Sequence, residues 1–73
     1  MSRFPAELIV TLTDGSTVSE CFNQAEMADF TRRKLLGTLA CGQAVVVYGE
    51  EPIEIPASRV AAVEVVVRNP VTA

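Results

Sequence analysis

A chain of 73 residues, 49% hydrophobic and 21% charged, reads as one small domain with a thin core and is too apolar for a disordered tail. No stretch approaches the ~18 uninterrupted apolar residues of a membrane span. The start, Met-Ser-Arg-Phe-Pro, leads into no apolar run of signal-peptide type. With a net charge of −3 and no histidine, the chain offers neither a cationic face for a phosphate backbone nor the commonest general base and metal ligand. Nucleic acid and membrane are therefore not expected as partners, and the expected location is the cytoplasm.

Order is expected over about 5–69 of a single domain spanning 1–73. Pro5 opens it, Asn69-Pro70 closes it, and a loose tail follows. Residues 7–13, Glu-Leu-Ile-Val-Thr-Leu-Thr, form a β-rich run, and Asp14-Gly15 is a strong hairpin signal before the return run from Ser16 to Phe22. A two-residue loop would place Leu12 opposite Thr17, Val10 opposite Ser19 and Leu8 opposite Cys21, all on one helix-facing side. Ile9, Thr11, Thr13, Val18, Glu20 and Phe22 would then share the other side.

A helix follows. Asn23 is the expected N-cap, with Glu26 completing a capping box and Phe22 and Met27 at the spacing of a hydrophobic staple. Met27, Thr31, Leu35 and Leu39, widened by Ala28 and Leu36, make the expected buried stripe. Gly42 after Cys41 suits the C′ position. Gly37 marks either close backbone packing or an earlier helix end. Phe30 lies to one side of the stripe, as a flank of the core or a contact for a partner.

Residues 44–48 are a short apolar strand, Gly49-Glu50-Glu51-Pro52 a turn, and Ile53-Glu54-Ile55 a brief strand stopped by Pro56. A tight turn at 57–60 leads into a last strand from Ala62 to Arg68. Val63, Val65 and Val67 lie on one of its faces, and Glu64, Val66 and Arg68 on the other. The expected fold is α+β: a small, mostly antiparallel sheet or partial barrel with one helix, in the order β-β-α-β-β-β.

Little in the pattern carries chemistry. Cys21 and Cys41 form no CxxC and read as free thiols rather than a disulfide framework. Glu50, Glu51 and Glu54 read as a solvated turn, with weak Ca²⁺ or Mg²⁺ binding as the alternative. Arg32-Arg33-Lys34 reads as a solvated helix face in which Asp29 and Arg33 pair at i, i+4, with an anion site as the alternative. No phosphate-cradling glycine loop is present, no serine has a partner base, and no cofactor is expected.

The run Ile55-Pro56-Ala57-Ser58-Arg59-Val60-Ala61-Ala62-Val63-Glu64-Val65 resembles the closing segment of a family of short actinobacterial proteins of uncharacterised function. In that family a strand ends in a Val/Ile-Pro-Ala turn and a basic residue precedes a Val-Glu-Ile strand. Members are sometimes labelled ATP-binding, so the resemblance implies a nucleotide or small-ligand domain as one alternative, with an accessory subunit of an enzyme as another. One helix on a small sheet is also a common style among bacteriophage accessory proteins. The residues themselves favour a non-enzymatic interaction or assembly module. One helix cannot cover both faces of a sheet, and leftover apolar side chains mark an interface. The chain is thus expected to form a homo-oligomer through Ile9, Val18, Glu20 and Val66 of the uncovered face with Arg68 beside them, and Phe30 is the further candidate contact.

Overall fold

A computed structural model describes residues 5–68. Strand β1 (Ala6–Leu12) pairs antiparallel with β2 (Thr17–Phe22), helix α1 (Ala25–Ala40) follows, and β3 (Val45–Tyr48) pairs antiparallel with β4 (Pro52–Ile55). A 3₁₀ turn (Ala57–Arg59) leads into β5 (Val60–Val67), which returns antiparallel to β1. The result is a three-stranded sheet in the order β2-β1-β5 and a separate two-stranded ribbon of β3 and β4. This is the α+β architecture and chain order expected from the sequence, with the sheets open rather than closed into a barrel. The expected end at Asn69-Pro70 and the tail beyond it lie outside the described residues.

The first hairpin differs from expectation by one residue. Leu12 N–H donates to the Ser16 carbonyl at 2.8 Å and Gly15 N–H to the Leu12 carbonyl at 3.0 Å, so the loop holds three residues, 13–15. A type I′ turn needs positive φ at both central positions. Here only Gly15, at φ 91°, is left-handed, and Asp14 is not. Asp14 instead accepts from the Ser16 N–H at 2.9 Å and the Ser16 hydroxyl at 2.6 Å, which stabilises the longer loop. Leu8 therefore faces Glu20, Val10 faces Val18 and Ala6 faces Phe22. A one-residue slip turns every side chain of a strand over. Val18, Glu20 and Phe22 thus lie on the helix-facing side, and Thr17, Ser19 and Cys21 on the other, the reverse of the expected placement.

The helix also begins later than expected. Gln24, not Asn23, is the N-cap; it is extended at ψ 135° and makes no side-chain capping bond. Pairing of Phe22 with Ala6 keeps β2 extended to its last residue, and Asn23 and Gln24 are then used to reverse the chain. The capping box and staple are absent, and Met27 is 51% exposed rather than buried. The buried stripe is Ala28 and Leu35, with Leu39 packed alongside, while Leu36 is exposed. At the other end Gly42 behaves as expected. It is left-handed at φ 75°; its N–H donates to the Leu39 carbonyl and the Gln43 N–H to the Thr38 carbonyl, the paired bonds of a Schellman ending. Gly37 neither ends the helix nor packs closely, since a Cβ there would meet nothing within 4 Å.

The core forms between the sheet and the two elements on its covered face. Leu8 and Val10 of the central strand, Leu35 of α1, Val45 and Val47 of β3 and Ile55 of β4 are its buried members, with Val18, Phe22, Val63 and Val65 packed against them. The β3–β4 ribbon alternates, so Val46 and Tyr48 point outward while Val45 and Val47 are buried.

Candidate interaction surface

The opposite face of the three-stranded sheet carries Glu7, Ile9 and Thr11 from β1, Thr17, Ser19 and Cys21 from β2, and Ala62, Glu64 and Val66 from β5. None of these nine side chains is buried. Ile9 lies between Ser19 and Glu64, and Val66 lies opposite Glu7. Arg68 Nη2 donates to Glu7 Oε1 at 2.7 Å. That bond, with the nearby Ser19 as a lesser influence, holds the Glu7 carboxyl below the usual carboxylate range. Ile9, Val66 and Arg68 of the expected surface are therefore together on this face.

The other expected residues are elsewhere. Val18 packs against the core. Glu20, on the covered face of the edge strand β2, accepts from the Tyr48 N–H at 3.2 Å, which ties the end of β3 to the sheet. Phe30 is 55% exposed on the helix, with Lys34 Nζ 6.0 Å from its ring centroid. It is not a flank of the core. Two members of the basic run share one carboxylate at the surface: Arg32 and Arg33 reach Asp29 at 3.0 and 3.1 Å.

Two features escape a reading of the sequence. The first is the covered edge of the sheet. Gly49 sits so close to β2 that a Cβ there would stand 3.1 Å from the Ser19 carbonyl oxygen, so the turn after β3 lies over that edge.

The second is the bare edge of β5. Arg68 N–H donates to the Pro5 carbonyl at 2.8 Å, and hydrogen-bonded pairs alternate along an antiparallel ladder. The inward groups are therefore those of Ala62, Glu64 and Val66, and the N–H and C=O groups of Val63, Val65 and Val67 point away from β1. No described element runs along them. They open instead onto a groove of about 520 Å³ between Ala25, Asp29 and Arg32 of α1 and Val63, Val65 and Val67 of β5. The available signal was a run from Val60 to Val67 without Pro or Lys and with Glu64 as its only charge, the composition of an edge left unprotected.

Cys21 and Cys41 are free and exposed; Cys21 is opposite Glu7 rather than on the helix-facing side. Among the described residues no three His, Cys, Asp or Glu side chains come together as metal ligands, and no helix is long and apolar enough to cross a membrane. No protein-family model, curated protein or solved structure matches the chain.

Proposed function

We propose that the protein is a small non-enzymatic assembly module that works by self-association, with the side of the molecule bearing β5 as its contact region. The observation that carries this reading is the one-sided sheet. Its covered face holds the buried core, while the face bearing Ile9 and Val66 has no described element over it, and Val66 and Val67 at the end of β5 are 39% and 47% exposed. Small domains gain from burying such residues between copies. The test is the mass in solution by light scattering across a range of concentrations. The expected result is a concentration-dependent rise above the 7.8 kDa of one chain. Val66→Asp should return the mass to that of the monomer while the circular dichroism stays unchanged. A wild type that remains monomeric at millimolar concentration refutes the proposal.

A further inference from the structure

We infer that two copies join edge to edge through β5, antiparallel, so that the three-stranded sheets become one six-stranded sheet across a two-fold axis. This rests on the self-association proposed above and sets its contact at the strand edge, where Val66 of the uncovered face meets its copy while Ile9 stays open on the enlarged sheet. An exposed apolar strand edge is a template for pairing with another strand, and the one register irregularity of β5 lies at its start, opposite Thr11 and Leu12, away from residues 64–68. Of the two edges of this sheet, β2 is met by Gly49 and by the Glu20–Tyr48 bond. β5 presents the outward backbone groups of Val63, Val65 and Val67 with only an open groove beside them.

The occupant is a second β5 because the strand is complementary to itself. Along the uncovered face of β5 and the residue after it, where Arg68 continues the ladder to Pro5, the side chains read Glu64, Val66, Arg68: negative, apolar, positive. An antiparallel copy reads positive, apolar, negative. With the axis at Val66, Glu64 meets the Arg68 of the other copy twice, the two Val66 side chains meet each other, and Val65 exchanges backbone hydrogen bonds with Val67. Shifting the axis to Glu64 would put two carboxylates directly opposite, which is unfavourable. A two-fold perpendicular to the sheet also keeps both helices on one face. Asp29 and Arg32 of each helix, paired with each other, line the groove beside the seam. A stable interface takes about 800 Å² from each partner, roughly a sixth of the 5052 Å² this chain exposes.

Two measurements test the geometry. The first is amide exchange by NMR on the wild-type chain. The Val65 and Val67 amides should be protected at high concentration and exchange quickly on dilution, because edge pairing is what covers them. The second is charge reversal read by light scattering. Glu64→Arg places Arg opposite Arg across the seam and Arg68→Glu places Glu opposite Glu, so each variant alone should associate about tenfold more weakly than wild type; because Arg68→Glu also removes the partner of Glu7, its monomer is first checked by circular dichroism to be folded. An equimolar mixture restores both opposite-charge pairs and should recover the association. If wild type associates but the Val65 and Val67 amides exchange freely at every concentration, or if the mixture recovers nothing, edge pairing is wrong while self-association stands. A monomeric wild type overturns both.

Discussion

Replacing Val18 with aspartate separates the observed hairpin register from the one a two-residue loop would impose. Val18 lies opposite Val10, which is wholly buried, and packs against the core cluster. Each buried methylene is worth ~0.8 kcal/mol. Half-buried Val18 therefore contributes about 1 kcal/mol through its methyl groups, and Val18→Ala should lower the melting temperature by roughly 4–8 °C. Val18→Asp loses that contribution and adds the cost of a carboxylate against apolar neighbours, about 2 kcal/mol or more. A domain this size has only ~4–11 kcal/mol of stability in all, so the aspartate variant should have lost much of its cooperative transition by 37 °C. Thr17→Asp is the control: Thr17 is exposed and lies opposite Thr11 on the uncovered face, so the change should stay within about 0.5 kcal/mol. Urea titrations followed by circular dichroism give both values. A damaging Thr17→Asp beside a harmless Val18→Asp would mean that β2 is flipped and the three-residue loop is wrong.

Gly37→Ala should stabilise the chain by about 0.5–1 kcal/mol, since the helix continues through that position and a Cβ there meets nothing; an unchanged or lowered melting temperature would show that the glycine is needed. Asn23→Ala should leave the melting temperature within about 2 °C, because Asn23 precedes the N-cap and no side-chain capping bond is made; a fall of about 1 kcal/mol, the usual cost of losing a cap, would place the helix start at Asn23 after all. Acid should weaken the fold. Glu7 is held below its ordinary value by Arg68 and Ser19, and Asp14 by Ser16. A carboxyl depressed in the folded state adds stability above its unfolded pKa and loses it as pH falls through the folded one. The urea midpoint should therefore drop as pH is lowered below ~4, and Arg68→Met should flatten part of that slope and leave the share due to Asp14. A midpoint independent of pH between ~2 and ~5 would contradict this.

The parts of the fold that were legible in the sequence are those decided within one turn or one strand. Gly42 was readable as a helix end because the left-handed C′ position is a local demand, and the break at Pro56 because proline cannot donate to a ladder. Asp14-Gly15 marked a hairpin correctly but left its length open. The type I′ turn asks Asp14 as well as Gly15 for positive φ, whereas the three-residue loop asks only Gly15 and gives the Asp14 carboxylate two donors from Ser16. That competition is settled by a side chain, not by the dipeptide. The helix start was misplaced by one residue: Asn23 and Glu26 have the right spacing for a capping box, but β2 stays paired to Phe22 and both Asn23 and Gln24 are used to reverse the chain before the helix begins.

The candidate surface was legible to the extent that each strand revealed its own phase. Leu8 and Val10 phase β1, and Val63, Val65 and Val67 phase β5, so the neighbours of these residues, Ile9, Val66 and Arg68, could be placed together on the uncovered side. β2 has no such phase. Val18, Cys21 and Phe22 are apolar at both parities, and the register that decides between them is set at the loop that ends at Gly15, outside the residues it phases. The bare edge of β5 was beyond any local reading, because whether a strand is central or at the edge depends on which strands come to lie beside it. β5 and β1 are adjacent in space although α1 and the β3–β4 ribbon intervene in the chain. Taken alone, an apolar run such as Val63-Glu64-Val65-Val66-Val67 suits a strand bordered on both sides. One border is β1, and the other is open in the described chain. The unprotected composition of β5 and its position at the edge conflict in a monomer, and the conflict disappears when a second β5 lies along it.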